Sequence, residues 1–401
     1  MTLPKIVLRS LRQHALSTAV TALSIALAGG LLMAVWVVKS QTRMVFTQTD
    51  GGFDAVLGAR SSPLQLVLNS VFHVENSPGN VARDDFLEIQ KHPSVAAAVP
   101  IAVGDNYLGF RLVGTTLDLF QKVEYAAGRR LTVVPPGRLF DGERREAVVG
   151  SFAAQRLKLR YGDEFHPSHG LRQEGAREHE ETYVVVGVLE PSNTPADRVI
   201  WIPLAGLQLM SGHAASASTD VSAVLVKLRS PMAGKTLDQL YNKQGNRLTF
   251  AWPIGTIMAQ LLDRIGWIDR VLAMIAVLVA VIAAASILAS IYNSMNERRR
   301  EIAILRALGA RRRTVFGAVV LEASAIAGLG ALAGFAVYGV MLTAVAGALR
   351  AETGVVITPW AWHAVMIWAP CAMVLLGALA GVVPAVKAYQ TDVAEHLTPH
   401  G

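Results

Sequence analysis

Charged residues and cysteine are both scarce in this chain of 401 residues. Asp, Glu, Lys and Arg make up 17% of it, whereas an ordinary globular protein carries about 25%. This deficit, together with a hydrophobic content of 52%, excludes a disordered chain, a coiled coil and a collagen-like fibre. The single cysteine, Cys371, excludes a disulfide within the chain and a zinc site made of cysteines.

Catalytic motifs are missing from the sequence as well. Gly234-Lys235-Thr236 matches the end of a phosphate-binding P-loop, but the first glycine of that loop would fall at Arg229. The sequence contains neither a His-Glu-x-x-His zinc motif nor a Gly-x-Ser-x-Gly nucleophile elbow. We therefore predict that the chain is not an enzyme and has no catalytic residue. A membrane-anchored enzyme is the disfavoured alternative.

Four long stretches carry no formal charge: residues 15–38, 271–296, 323–349 and 353–386. A transmembrane helix needs about 20 predominantly apolar residues, and these stretches lack the polar stripe of helices in soluble proteins. We predict four transmembrane helices, called the first to fourth spans below. A cleaved signal peptide is the alternative for the first. Its apolar run continues to Val38, however, beyond the roughly 7–15 residues of a signal sequence.

The distribution of basic residues indicates the orientation of these helices. Three basic residues and no acidic one precede the first span, and residues 297–313 contain seven arginines against two glutamates. The long segment 39–270 is nearly neutral, with 25 basic and 24 acidic residues. Because basic loops stay in the cytoplasm, we predict that both termini are cytoplasmic and that the long segment lies outside. Residues 297–313 contain no aromatic residue, so we predict no nucleic-acid partner.

The chain is thus predicted to be an α-helical membrane protein with four transmembrane helices (1+3). A mixed α/β extracytoplasmic domain is inserted between helices 1 and 2, because short β-branched runs alternate there with turn residues. The predicted segments are a cytoplasmic amphipathic helix (1–14), transmembrane helix 1 (15–38), the outer domain with stalks (39–270), transmembrane helix 2 (271–292), a cytoplasmic helical loop (293–313), transmembrane helix 3 (314–349), a short outer loop (350–361), transmembrane helix 4 (362–386) and a cytoplasmic tail (387–401). A simple positively charged flank is the alternative for residues 1–14.

The polar segment 166–181 of the outer domain contains His166, His169 and His179 among glutamates. Imidazole and carboxylate groups bind divalent metals, which makes the three histidines candidates for metal ligands. Their spacing matches no established ligand pattern, so we predict an exposed, solvated loop without a metal.

Small and ionisable residues stand out within the third and fourth spans. Gly330-x-x-x-Gly334 and Gly377-x-x-x-Gly381 are motifs that let helices approach closely. We expect them to pack the third span against the fourth, with a dimer contact as the alternative. Glu322 is costly near a membrane unless it is paired. We favour pairing with nearby arginines over a proton or ion relay.

The segment 296–310, NERRREIAILRALGA, combines strong helix formers with a glycine near its end. This segment and the apolar span after it resemble the FtsX/MacB-type permeases of ABC transporters. Residues 384–388 and 392–397 resemble the closing motif of that family, except that Val393 stands where proline is usual. In the outer segment, EAVVG (146–150) and VVVGV (184–188) resemble the MacB-like periplasmic core domain.

This resemblance implies a permease that works as a dimer in the bacterial inner membrane, with its large domain in the periplasm. The dimer would contain a second copy of the chain or a paralogous permease. It would be driven by two subunits of a separate cytoplasmic ABC ATPase, which bind ATP and Mg²⁺, while this chain holds no cofactor. Membrane lipid is a further implied partner, as is a periplasmic adaptor or substrate-binding protein.

By the same resemblance, residues 297–310 form the coupling helix that contacts the ATPase, and five residues are the candidates for that contact: Glu297, Arg300, Glu301, Ile304 and Leu308. All except Arg300 fall within about 60° of one another on a helix. The implied function is ATP-driven motion of the periplasmic domain, termed mechanotransmission, for export or extraction of a substrate. An FtsX-like signalling subunit that activates a periplasmic partner, such as a cell-wall hydrolase, is the alternative.

Overall fold

The computed structural model describes residues 3–48, 51–170, 179–210, 219–264, 266–297, 311–353, 358 and 360–390. The chain divides into two compact units. The membrane unit comprises Met1–Gln41, Ile265–Ala348 and Ile357–Gly401, and the sheet unit comprises Thr42–Arg264 with Leu349–Val356.

Along the chain, the strands and all but one of the short helices lie between a first long helix and three later ones. The helices are α1 (Leu3–Gln13), α2 (Ala15–Gln48), α3 (Pro63–Ser70), α4 (Arg83–Lys91), α5 (Asp118–Gln121), α6 (Ser151–Leu157), α7 (Leu204–Gln208), α8 (Pro231–Asp238), α9 (Ile254–Arg264), α10 (Gly266–Glu297), α11 (Arg312–Thr353) and α12 (Val365–Gln390). The strands are β1 (Ala55–Ala59), β2 (Val95–Tyr107), β3 (Phe110–Thr115), β4 (Glu146–Val149), β5 (Glu164–Phe165), β6 (Ser168–His169), β7 (Tyr183–Val188), β8 (Ile200–Pro203), β9 (Ala223–Leu228) and β10 (Leu248–Ala251).

Four helices of the described chain are long and apolar enough to cross a membrane. Their candidate spans are Ala15–Met44 in α2, Arg270–Asn293 in α10, Arg312–Ala348 in α11 and Val365–Val386 in α12. One precedes the strands in the chain and three follow them. The predicted 1+3 arrangement around a mixed α/β domain is therefore confirmed.

The core of the membrane unit is built largely from small and branched side chains. Buried residues of all four spans meet in one cluster, which includes Ile25, Ile287, Ala323 and Ala385. Helices that meet through alanine and glycine can bring their backbones close together, and this contact drives association where lipid is as apolar as the side chains.

The sheet unit contains a ten-stranded sheet in the order β10-β1-β9-β2-β3-β8-β4-β7-β5, with β6 paired to β2. Most neighbours are antiparallel, whereas β3 with β8 and β4 with β7 are parallel. Successive residues of β1 face two different cores: Val56 belongs to one apolar cluster, and Ala55 and Leu57 belong to another. Because both faces of the sheet are covered, several strands are buried along their whole length.

The predicted solvated loop at residues 166–181 is wrong in part. Ser168–His169 forms the short strand β6, which pairs with β2, and both His179 and Glu181 are buried. The residues of β6 and at positions 179 and 181 therefore return to the sheet, whereas His166 and His169 keep exposed side chains and residues 171–178 lie outside the described part of the chain. The polar composition of this segment predicts exposure. That prediction fails because the segment pairs with β2, which is distant in the sequence.

Candidate functional site

The first helix α1 is held against the bundle by its buried face. Val7 and Ser10 are buried, whereas Lys5, Arg9 and Arg12 are exposed. This is the amphipathic division that the spacing of the basic residues predicts. Val7 and Ser10 thus face the rest of the membrane unit, and the three basic residues face outward.

Glu322 of the third span accepts a hydrogen bond from the hydroxyl of Ser10. The carboxylate lies ten residues after the start of α11 at Arg312, or roughly 15 Å along the helix. Burying a carboxylate is costly unless a hydrogen-bond donor or a cation compensates it. Ser10 is one such donor, and it ties α1 to the third span. The sequence did not indicate Ser10, because a lone serine in an amphipathic helix carries no distinctive signal.

Gly330 and Gly334 lie against the first span, not against the fourth as predicted. A Cβ atom built on Gly330 would lie 2.6 Å from the Cβ of Ile25 and 2.7 Å from the carbonyl oxygen of Ala22. One built on Gly334 would lie 3.4 Å from the carbonyl oxygen of Ala26. The first span offers Ala22, Ala26 and Gly30 at four-residue spacing, and this run of small residues is the signal that sequence analysis could have used.

Gly377 and Gly381 of the fourth span lie against the third span. A Cβ atom built on Gly377 would clash with the Cβ of Ala327, and one built on Gly381 would clash with the Cβ of Ala323. The third span therefore contacts the first span on one side and the fourth on another. At Gly330, Gly377 and Gly381 a Cβ atom would be too close to its neighbours unless they shifted, whereas at Gly334 it would make an ordinary contact.

A polar clasp connects the first span to the segment that precedes the fourth. The buried amide of Gln41 donates to the carbonyl of Thr358 at 2.9 Å and accepts from the Thr358 backbone N–H at 3.1 Å. Its Nε2 also lies 3.3 Å from Nε2 of His363. Buried amides of this kind are stabilising when both of their polar atoms are satisfied, so Gln41 fixes the position of these two segments.

The predicted coupling residues lie at or beyond the end of α10. Glu297 is its last residue, while Arg300, Glu301, Ile304 and Leu308 fall outside the described residues. Their role therefore stays a prediction from the sequence.

Two of the three candidate histidines meet at one carboxylate. His169 and His179 both approach Asp105, whereas exposed His166 does not belong to the group that brings these donor atoms together. Asp105 was not predicted, because it lies on β2, far from the histidines in the sequence.

A buried polar cluster in the sheet unit has strongly altered electrostatics. Arg111 donates hydrogen bonds to Asn69 Oδ1 at 2.8 Å and to the carbonyl of Glu75 at 2.7 Å. Burial lowers the pKa of Arg111 to about 10. Burial, and then the charge of Arg111, lower the pKa of His73 to about 3. His73 is therefore neutral at physiological pH and packs edge-on against Trp201, with ring centroids 5.7 Å apart.

The sequence matches two family models, one after the other along the chain. The first is the MacB-like periplasmic core domain, which matches residues 17–240, and the second is the FtsX-like permease C-terminal model, which matches residues 273–393. No curated protein sequence matches the chain.

Two solved structures are similar to parts of the chain. The periplasmic region of MacB from Actinobacillus actinomycetemcomitans is 13% identical, covers 53% of this chain and 94% of its own, and superposes with a TM-score of 0.35. The extracellular domain of the noncanonic ABC-type transporter YknZ from Gram-positive bacteria is 17% identical, with coverage of 49% and 98% and a TM-score of 0.30.

Proposed function

Because the chain belongs to the FtsX/MacB-type family of ABC transporter permeases, we propose that it couples ATP hydrolysis by a separate cytoplasmic ATPase to motion of its periplasmic domain. The observation that supports this proposal is the succession of the two family models in one chain. The sequence itself contains no complete P-loop, so the nucleotide and its Mg²⁺ are assigned to the partner subunit.

The proposed working unit is a dimer in the bacterial inner membrane, with both chain termini in the cytoplasm. It pairs with two ATPase subunits and consists of two copies of this chain or of this chain with a paralogous permease. Membrane lipid surrounds its exposed apolar helices, and a periplasmic adaptor or substrate-binding protein is a further proposed partner. The motion would serve export of a substrate or its extraction from the membrane.

The third span is the element through which such motion would pass. It follows directly after the proposed coupling helix in the sequence, and it contacts both the first and the fourth spans through glycine. Closely packed interiors have low compressibility and transmit displacement. A push on residues 297–310 would therefore move the first, third and fourth spans together.

The contact of Ser10 with Glu322 adds α1 to this moving group. At the other end of the first span, Gln41 is bonded to the segment before the fourth. We propose that these two contacts, with the glycine packing between them, make the helices of the membrane unit move as one rigid body and not independently.

The coupling assignment is tested by the double variant Glu301→Lys with Leu308→Asp. Both positions lie on the acidic and apolar stripe of the predicted helix, so the changes should break the ATPase contact. The chain should still insert into the membrane and reach wild-type levels. The ATPase should no longer co-purify with the permease, and transport or signalling activity should be lost.

Ala303→Asp provides the matched control, because it adds the same carboxylate on the opposite side of the predicted helix. That variant should keep its ATPase and its activity. If the double variant retains the ATPase and remains fully active, the coupling helix has been assigned to the wrong residues.

A further inference from the structure

One cluster of metal-ligating side chains lies in the sheet unit and takes no part in the helix contacts described above. It consists of Asp105, His169 and His179, whose donor atoms all lie within 4.8 Å of one another. Nδ1 of His169 and Nε2 of His179 each lie 3.2 Å from the same oxygen, Oδ1 of Asp105. Two imidazoles therefore converge on one carboxylate oxygen.

The backbone positions these side chains before any ligand is considered. Asp105 and His169 are direct partners in the antiparallel pairing of β2 with β6, which places their Cβ atoms about 5 Å apart. The N–H of Gly170 donates to the carbonyl of Gly104 at 2.9 Å, and the N–H of His179 donates to the carbonyl of Pro167 at 2.8 Å. Each histidine is thus anchored by its own backbone hydrogen bond or strand register.

The side chain of Asn106 fastens the same strand pair from the neighbouring position. Its Nδ2 donates to the carbonyl of Gly170 at 2.8 Å, and its Oδ1 accepts from the N–H of Gly109 at 3.0 Å. Supporting hydrogen bonds of this kind hold the groups around a metal site in place.

Nε2 of His179 lies within hydrogen-bond distance of Oδ1 of Asp105, and the two separations from this oxygen are also compatible with ligands of a common metal ion. Charge-assisted hydrogen bonds between imidazolium and carboxylate are shorter, at about 2.7–2.9 Å. Around a tetrahedral zinc ion with bonds of about 2.0–2.1 Å, neighbouring ligand atoms lie about 3.3 Å apart. The two separations of 3.2 Å are close to this value.

Among the described side chains of the cluster, that of His169 is the exposed one. The side chains of Asp105 and His179 are 0% and 6% exposed, whereas that of His169 is 55% exposed. An ion can therefore reach the buried carboxylate from the His169 side, where water can complete its coordination. A divalent cation would also compensate the cost of burying a carboxylate.

We propose that Asp105, His169 and His179 bind one Zn²⁺ ion in the outer domain. Imidazole nitrogen and carboxylate oxygen are zinc ligands, whereas Mg²⁺ and Ca²⁺ prefer sites made of oxygen. The ion links His169 of β6 and His179 to Asp105 of the long strand β2. The ion holds positions 169 and 179 close to each other. Because the site exists only in the folded chain, binding of the metal stabilises the folded domain.

The test is calorimetric titration of ZnCl₂ into the full chain in detergent, after treatment with a chelator and without a histidine tag. We expect one Zn²⁺ bound per chain and no comparable heat from MgCl₂. Because loss of a supporting partner alone weakens metal binding by about 10–100-fold, His169→Ala should weaken the Kd for Zn²⁺ by more than about 100-fold. His169 is exposed, so this variant keeps the fold.

His166→Ala is the matched control, because it removes an exposed histidine three residues earlier in the same segment. It should bind Zn²⁺ as the wild type does. Asp105→Asn, like His169→Ala, should lose Zn²⁺ binding. Absence of stoichiometric zinc binding by the wild type would overturn the proposal. Equal affinity in the wild type and His169→Ala would overturn it as well.

Discussion

Some functional residues of this permease can be recognised in the sequence, and others cannot. Glu322 was recognisable because a carboxylate in an apolar stretch needs a partner. Ser10, a hydrogen-bond donor to this carboxylate, is more than three hundred positions away in the sequence and has no distinctive character of its own. Asp105 was missed for the same reason, since only strand pairing brings it opposite His169. Residues that need a partner are visible in the sequence, whereas the partners become visible only in the fold.

His73 should make the outer domain less stable as the pH falls. Its folded-state pKa is lowered to about 3 from the ordinary value of 6.5, so the unfolded chain takes up a proton below pH 6.5 and the folded chain does not. Stability contributed by the neutral ring is complete above that pH and decreases below it. Between pH 7 and pH 5 this single group should cost about 2 kcal/mol.

The measurement is denaturant unfolding of the full chain at pH 7 and pH 5, followed by tryptophan fluorescence, since His73 contacts Trp201. Asparagine tolerates the left-handed backbone at this position, where φ is 57°, so His73→Asn should fold. Its loss of stability between the two pH values should be smaller than that of the wild type by about 2 kcal/mol. The exposed His166→Asn should behave as the wild type does, and an unchanged pH dependence in His73→Asn would contradict the assignment.

At the scale of helices and strands, the sequence succeeds where a pattern is long or flanked by turns. The strands β4 (Glu146–Val149) and β7 (Tyr183–Val188) coincide with the β-branched runs EAVVG (146–150) and VVVGV (184–188). The strands β1 and β10 were not predicted, because they are short and face a core on both sides, which removes the alternation of polar and apolar residues. Glycine motifs likewise predicted close helix packing, but they cannot tell which helix is the neighbour.

Packing of the third span on the first predicts a sharp difference between two glycines of α11. Gly330→Ala places a Cβ atom 2.6 Å from Ile25, whereas nothing lies within 4 Å of a Cβ atom at Gly328. Overpacking of this kind costs about 1–3 kcal/mol, so Gly330→Ala should lower the thermal unfolding midpoint in detergent.

Gly328→Ala is the control on the same helix, and it should leave the midpoint unchanged or raise it, since alanine is the better helix former. Equal midpoints for the two variants would mean that the first span does not approach the third as closely as the structure has it.

At the scale of the whole molecule, the account requires one orientation for all four spans. Reporter cysteines at two positions test it in a background without the exposed native thiol, Cys371→Ser. Tyr161→Cys in the outer domain, where the side chain is 55% exposed, should react with a membrane-impermeant maleimide applied to the periplasmic side. Arg306→Cys should react only after the membrane is opened. Labelling of Arg306→Cys in intact spheroplasts would show that the orientation is the reverse of the predicted one.

The proposed function requires that the permease and the ATPase are separate subunits of one complex. This is checked by purifying the full chain, without a histidine tag, from native membranes in mild detergent and by identifying and counting the subunits that remain bound. We expect a complex of two permease chains with two copies of an ABC ATPase that carries a complete P-loop, and we expect this ATPase to be lost from the Glu301→Lys, Leu308→Asp variant. An intact permease dimer recovered repeatedly with no nucleotide-binding subunit, from membranes in which the protein is active, would contradict the proposed function.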